Sequence, residues 1–340
     1  MKVLADRIRS SKRILMSTHK DPDGDGIGAM LALSKGLRSA GKQVELYLPD
    51  PCPQRFLFLD PDHLLRDLPE DAKQAPWTEP DLALIIDTHQ WSLLGRVGEL
   101  LQEAGTPTVF LDHHPVQGVP RPDVFGDPNS SSTGEIVYRL MLFYLDLPID
   151  AEIGACLYTS IAYDTHSFRY VRNSPSPHLI AADLLSRGVN ATEIYRHLFA
   201  SNPAGKMRLL GQILRGIQIE ADGRLAWAVL PNSSIVEHDC CPDDLRDAVN
   251  YLLEFDGVEV AVLLKEVEKG LVKVSLRSKG KIEVHEAAAA LGGGGHPFAA
   301  GATLVSDLDR ARERVLTAVL PVVRNGRPSG EEATVRARNT

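Results

Sequence analysis

Short apolar runs that each break at a polar or charged residue are the clearest regularity of the chain. Ile14-Leu15-Met16 leads into His19-Lys20-Asp21-Pro22-Asp23-Gly24-Asp25. Leu82-Ala83-Leu84-Ile85-Ile86 leads into Asp87, and Val109-Phe110-Leu111 into Asp112-His113-His114. Runs of this length without polar alternation fit strands covered on both faces. The pattern predicts strands over 14–17, 44–48, 82–86 and 109–111. It predicts a helix over 28–40, stopped by Gly41. Further helices are expected over 132–145, opened by Ser132 and Thr133 with Glu135 close behind, and over 151–163 ahead of Asp164-Thr165. Strands alternating with helices imply a parallel sheet with right-handed crossovers.

Beyond Asn173 the pattern changes to a helix-rich stretch over about 178–217. A second set of strands begins near Arg224, over 225–230, 258–264 and 271–276, with a helix over 243–253 between the first two. The expected class is α/β: a parallel-sheet domain plus a smaller α/β domain, with the active site in the cleft between them. The expected boundaries are 1–187 for the first domain, 188–222 for a helical connector, 223–323 for the second domain and 324–340 for a disordered polar tail.

Composition narrows the function class. With 340 residues, 44% of them hydrophobic, the chain can bury a sizeable core. No apolar stretch approaches the roughly 20 residues that span a bilayer, and the first residues lack an apolar signal region. Cys52, Cys156, Cys240 and Cys241 form no C-x-x-C pair, which fits a reducing cytoplasm. A formal net charge of −8 argues against a long basic groove for duplex DNA or RNA. A small anionic substrate held by a few cations stays compatible.

The polar clusters suggest a chemistry. In an open parallel sheet, ligands bind at the carboxyl ends of the strands. His19, Asp23, Asp25, Asp87, Asp112, His113 and His114 would all gather there. Hard oxygens mixed with imidazoles, and no cysteine, suit two divalent ions of the Mn or Mg kind rather than a structural zinc. The imidazoles tilt the choice to Mn, with Mg or Co as alternatives. Two such ions clamp a phosphate and lower the pKa of a bound water toward ~7. Gly24 and Gly26 are expected to let the loop turn tightly between its carboxylates.

The order His19-x-x-x-Asp23-x-Asp25, Asp87, Asp112-His113-His114, Asp164 resembles the four motifs of the DHH phosphoesterase superfamily. Arg277-Ser278, followed by Gly293-Gly294-Gly295-His296-x-x-Ala299-Ala300-Gly301, resembles the family's substrate-binding DHHA1 domain. The match covers residues 10 to 320 and is most similar to the nanoRNase/pAp-phosphatase (NrnA-like) branch. The resemblance implies one metal on His19, Asp23 and Asp87, and another on Asp25, Asp87, His113 and Asp164, with Asp87 bridging. It implies that His114 supplies a proton or stabilises charge. Arg277, Ser278, Gly293, Gly294, Gly295 and His296 would grip a substrate phosphate or terminal nucleotide. The implied substrates are short single-stranded RNA, including linear dinucleotides such as pApA, and adenosine 3′,5′-bisphosphate (pAp). A homodimer is implied, with no membrane and no duplex DNA as partner.

Several residues keep two readings. Ser131, Ser132 and Thr133 fit helix capping better than phosphate binding. His89 is a substrate contact or an exposed loop histidine. His166 stands where the family usually has a small residue, so its role is open. Gly292–Gly295 reads as a shaped loop rather than a linker. A RecJ-like single-strand exonuclease would need a longer chain, and a family II pyrophosphatase should lack the GGGH segment. A membrane-bound cyclic-dinucleotide phosphodiesterase would need spanning segments. A non-catalytic nucleotide-binding regulator should have lost ligands, and here every expected ligand position is filled.

Overall fold

A computed structural model describes residues 1–116, 121–172, 174–240, 245 and 247–326, apart from the His296 side chain. The chain divides into two compact units, Met1–Ser201 and Asn202–Thr340.

In the first unit the elements run α1 (Lys2–Ser10), β1 (Arg13–Ser17), α2 (Gly24–Ser39), β2 (Gln43–Leu48), β3 (Leu65–Asp67), β4 (Leu82–Ile86), α3 (Gly95–Glu103), β5 (Thr108–Asp112), β6 (Val124–Gly126), α4 (Thr133–Arg139), α5 (Ala151–Asp164), α6 (Ser176–Ser186) and α7 (Ala191–Phe199). The six strands form one sheet in the order β3-β2-β1-β4-β5-β6, every pair parallel. Alternate residues of the apolar runs feed two cores. Ile14, Met16, Leu84, Ile86 and Leu111 face the layer of α2, α4 and α5, while Leu15, Ala83, Ile85 and Phe110 pack with residues of α3. Burial on both faces explains why these strands carry no polar alternation.

α2 starts four residues before the expected helix. Asp23 is its N-cap and accepts from the backbone N–H of Asp25 and Gly26. Gly24 and Gly26 therefore lie in the first helical turn, not in a tight loop. Their role is close approach: a Cβ at Gly24 would meet the Tyr163 ring at 2.6 Å, and one at Gly26 would meet Thr18 Oγ1 at 2.3 Å. The helix expected over 132–145 is α4, capped by Ser132, continued as a π-helical stretch over Leu140–Leu145.

The second unit comprises α8 (Ala204–Arg215), β7 (Gln218–Glu220), β8 (Leu225–Leu230), α9 (Asn232–Glu237), α10 (Ala248–Leu253), β9 (Val260–Glu268), β10 (Leu271–Ser278), α11 (His285–Ala290), β11 (Gly294–His296), β12 (Ala299–Val305) and α12 (Leu308–Asn325). Its sheet has the order β11-β12-β10-β9-β8-β7, antiparallel except for β8 beside β9. α12 packs Val315, Val319 and Val323 into this unit's core. Helix thus reaches into the expected tail, and residues 327–340 lie outside the described residues. Of the helix expected over 243–253, α10 holds the last six residues. Residues 241–244 and 246 lie outside the described residues. No helix among the described residues is long and apolar enough to cross a membrane.

Candidate metal centre

The first sheet's strand order reverses between β1 and β4, which opens a crevice at their carboxyl ends. His19 follows β1 by two residues, Asp87 follows β4 directly, and Asp112 ends β5 just before His113. α2 brings Asp23 and Asp25 to the same edge, and Asp164 is the last residue of α5. Asp87 sits at φ +66°, a left-handed conformation that aspartate tolerates better than most residues.

The side chains form two groups that meet where Asp87 faces His113. His19 Nε2 lies 3.5 Å from Asp87 Oδ2 and 3.9 Å from Asp23 Oδ1. His113 Nε2 lies 3.4 Å from Asp164 Oδ2, 3.7 Å from Asp25 Oδ2 and 3.8 Å from Asp87 Oδ1. Ligand atoms lie within 4.8 Å of one another in His19, Asp23 and Asp87, in Asp25, His113 and Asp164, and in Asp87, His113 and His114, the set that links the other two.

The hydrogen bonds around these groups orient them for a cation. His19 Nδ1 meets the Lys20 carbonyl at 2.7 Å, and His113 Nδ1 meets the Ser130 carbonyl at 3.3 Å. A carbonyl can only accept, so each Nδ1 carries a hydrogen, and in the neutral ring each Nε2 presents a lone pair. The carboxylate oxygens lie 3.4–3.9 Å from those nitrogens, a spacing longer than a typical hydrogen bond. Burial, with the neighbouring His114 charge, pushes His113 down to about 3, so its ring stays neutral.

The carboxyls tell the same story. Burial, partly countered by the Ser160 hydroxyl, lifts Asp25 to about 7, and the Asp23 charge adds to it. Burial and then the Asp25 and Asp23 charges push Asp87 well above the usual range. The Asp164 side chain is 31% exposed, yet burial and the charges of Asp25 and Asp87 push it up too. Crowded carboxylates facing imidazole lone pairs repel one another, and a divalent cation among them reverses that repulsion. The residues present fit metal ions.

Two further side chains fix the carboxylates: Thr133, expected only for capping or phosphate binding, and Ser160, which the sequence did not single out. Asp25 accepts from the Thr133 N–H at 2.7 Å, the Gly134 N–H at 3.1 Å and the Ser160 hydroxyl. The Thr133 hydroxyl donates to Asp87 Oδ1 at 2.8 Å. Thr133 thus ties one carboxylate of each group together. The free amides at the start of α4 point at Asp25, while Ser132 caps Glu135 N–H as expected. The sequence signal was the residue after the cap, whose hydroxyl is not needed for capping.

His114 differs from the metal-facing histidines. Its Nδ1 lies 2.7 Å from Asp112 Oδ1, and His89 Nδ1 lies 2.5 Å from the other Asp112 oxygen. Burial alone would lower His114, but the hydrogen bond to Asp112 and the charges of Asp87 and Asp25 raise it to about 9. Asp112, against its own burial, is held down to about 2 by His114. His89 therefore holds Asp112 in place. His166, at φ +48°, sets Nδ1 3.3 Å from the Tyr163 carbonyl and its ring against Tyr170.

In the second unit, Arg277 on β10 and His296 on β11 both register with Ala299 of β12. Arg277 Nη1 donates to the Leu276 carbonyl, and Ser278 Oγ accepts from the Gly280 N–H. Of the glycine run, Gly294 and Gly295 belong to the edge strand β11, while Gly292 and Gly293 lie in the turn before it. A Cβ at Gly293 would meet the Gly301 carbonyl at 2.0 Å, and Gly295 takes φ +139°.

Family comparison assigns these two units. Residues 13–161 match the DHH family, N-terminal domain, and residues 224–320 match the DHHA1 domain. The chain belongs to the DHH family. This DHH protein is 34% identical over 334 residues to the bifunctional oligoribonuclease and PAP phosphatase NrnA of Thermus thermophilus, covering 94% of this chain and 93% of that one. It is 22% identical to the Bacillus subtilis protein of the same name, over 86% and 90% of the two chains. The crystal structure of an exopolyphosphatase-related protein from Bacteroides fragilis superposes with TM-score 0.85 at 25% identity, over 94% and 95% of the chains. DHH phosphoesterases are metal-dependent hydrolases, which agrees with the grouped ligand atoms at the first sheet's edge.

Proposed function

We propose that this protein hydrolyses very short oligoribonucleotides, linear dinucleotides included, to mononucleotides, and removes the 3′-phosphate of pAp to give AMP. The observation that carries the reading is the pair of ligand groups meeting at Asp87. The similarity to the Thermus NrnA over nearly the full length of both chains supports the substrate class. In both reactions the attacked phosphorus is attached to a ribose 3′ oxygen, so one site serves both.

His19, Asp23 and Asp87 would hold one divalent ion, and Asp25, Asp87, His113 and Asp164 the other. Mn suits this mixed imidazole–carboxylate set best, with Mg or Co as alternatives. Bound there, the ions supply charge neutralisation at the phosphate and a water of lowered pKa. The chain's residues do the rest. Thr133 and Ser160 keep Asp25 and Asp87 oriented. His114, with Nδ1 committed to Asp112, donates from Nε2 to the phosphate or the departing oxygen. Arg277, Ser278, Gly293, Gly294, Gly295 and His296 take a substrate phosphate through a guanidinium fork and bare backbone N–H groups. The free thiols of Cys52 and Cys156 support a cytoplasmic setting.

The test is turnover with Mn on four substrates: a labelled RNA dinucleotide, a 24-mer, pAp and pyrophosphate. Fast cleavage of the dinucleotide and pAp with slow action on the 24-mer is expected. Preference for the 24-mer would move the protein to the processive exonucleases. Preference for pyrophosphate would move it to the pyrophosphatases, and silence on all four would make it a nucleotide-binding regulator.

A further inference from the structure

Beside His114 the first unit carries a cavity of about 270 Å³ that the metal chemistry does not use. Its lining joins Asp112 and His114 to apolar walls from Val116, Val124 and Pro128, with Arg121 and Asp127 as the charged members. The volume sits just below the range of about 300–1,000 Å³ typical of drug-sized ligands. It suits a single ring system, not a whole dinucleotide. His114 Nδ1 is 3.9 Å from Asp87 Oδ1, so one residue both lines the cavity and neighbours the candidate metal groups.

An arginine in such a place suggests an anion subsite, but its hydrogen bonds argue otherwise. Arg121 donates from Nε at 3.3 Å and from Nη2 at 2.5 Å to the Asp123 carboxylate, and from Nη1 at 2.8 Å to the His89 carbonyl. Each of its nitrogens is engaged in the guanidinium plane, and Asp123 cancels the charge. The Arg121 Cζ lies over the Phe110 ring, 4.9 Å from the centroid. Phe110 is fully buried and does not line the cavity, so Arg121 offers there the guanidinium surface that Phe110 leaves uncovered. Asp127 is likewise engaged, accepting from Asn129 N–H, the Ser130 hydroxyl and Arg139. The Pro128 carbonyl is taken by Arg172. A pinned planar cation between apolar walls is a stacking platform. Guanidinium planes stack on nucleobases without regard to base identity.

We infer that this cavity receives a nucleobase of the substrate, stacked on Arg121 and held by its face rather than by its hydrogen-bonding edge. The inference rests on the proposed phosphoesterase reading of the adjacent metal groups. It names the feature that lets the site take short RNA of any sequence, and it makes Arg121 a substrate-binding residue.

The test compares RNA dinucleotides with analogues in which one or the other base is replaced by a stable abasic ribose. The wild-type protein should lose roughly ten-fold or more in kcat/KM when the base at one of the two positions is missing. Two variants then read the cavity. Val116→Trp fills it from a wall residue that is 39% exposed, so no core packing is lost. Arg121→Ala removes the platform itself. In both, the base-bearing to abasic ratio of kcat/KM should fall toward one, while changing the base among A, G, C and U should alter the wild-type rate only a few-fold. A ratio that stays at the wild-type value in Val116→Trp overturns the inference. Failure of the wild type to cleave any dinucleotide would sink the functional reading instead. In that case equilibrium binding of the same base-bearing and abasic pair to wild type and Val116→Trp still decides the cavity's role.

Discussion

Thr133 holds two carboxylates at once, its N–H on Asp25 and its hydroxyl on Asp87. Thr133→Val keeps the shape and the N–H but deletes the hydroxyl. Groups that orient metal ligands are typically worth 10–100-fold in affinity or activity. The variant should therefore bind Mn about 10-fold or more weakly by titration, at an unchanged circular dichroism spectrum. The charges of the same cluster predict how the metal-free protein responds to pH. His114 rises from 6.5 to about 9 on folding, so its contribution is complete below pH 6.5 and is lost as pH climbs through 9. Asp87 and Asp164, raised well above 3.8, bind protons in the folded state that the unfolded chain has released, and their slopes have the same sign. His113, lowered to about 3, acts in the opposite sense but only below pH 6.5. Between pH 7 and 9 the Tm of EDTA-treated protein should fall as pH rises, and saturating Mn should flatten that slope. A metal-free Tm that climbs over this window would contradict the proton assignments.

Glycines set the packing of α2 against α5. A Cβ at Gly28 would meet the Cys156 carbonyl at 2.5 Å and the Ser160 backbone N at 2.9 Å, and neither backbone atom can step aside cheaply. Overpacking of this kind typically costs ~1–3 kcal/mol. Gly28→Ala should lower Tm by several degrees in a thermal melt. Because Ser160 also holds Asp25, it should lower Mn affinity in the same protein. Such helix contacts were not legible in the sequence, where Gly24 and Gly26 read as turn formers. The long apolar strands were legible, because burial on both faces leaves an unbroken run. The three-residue strands β3, β6, β7 and β11 were not, since so short a run carries no period. The ligand-bearing strand ends could be read from chemistry alone. The residues that steady them could not: a threonine one place past a helix cap and a serine inside an apolar helix look like ordinary helix residues.

On the proposed reading two units divide the work. All the grouped candidate ligands belong to Met1–Ser201, and Arg277 to the second unit. Arg277→Ala should raise KM for the dinucleotide at least ten-fold and leave the Mn titration where it was. Loss of metal binding in that variant would contradict the division. The ligands of the first unit also come from distant parts of the chain, from His19 after β1 to Asp164 at the end of α5. No early local turn can present them together, so they converge only when β1, β4, β5 and α5 have all docked. On the proposed ligand set, metal capture would be a late event in folding and a reporter of completed topology. Refolding followed by tryptophan fluorescence should proceed at the same rate in EDTA as in Mn, while activity returns only once ions are supplied. A newly made chain would then depend on its own sheet to fold, and a metal-starved cell would accumulate finished but idle protein.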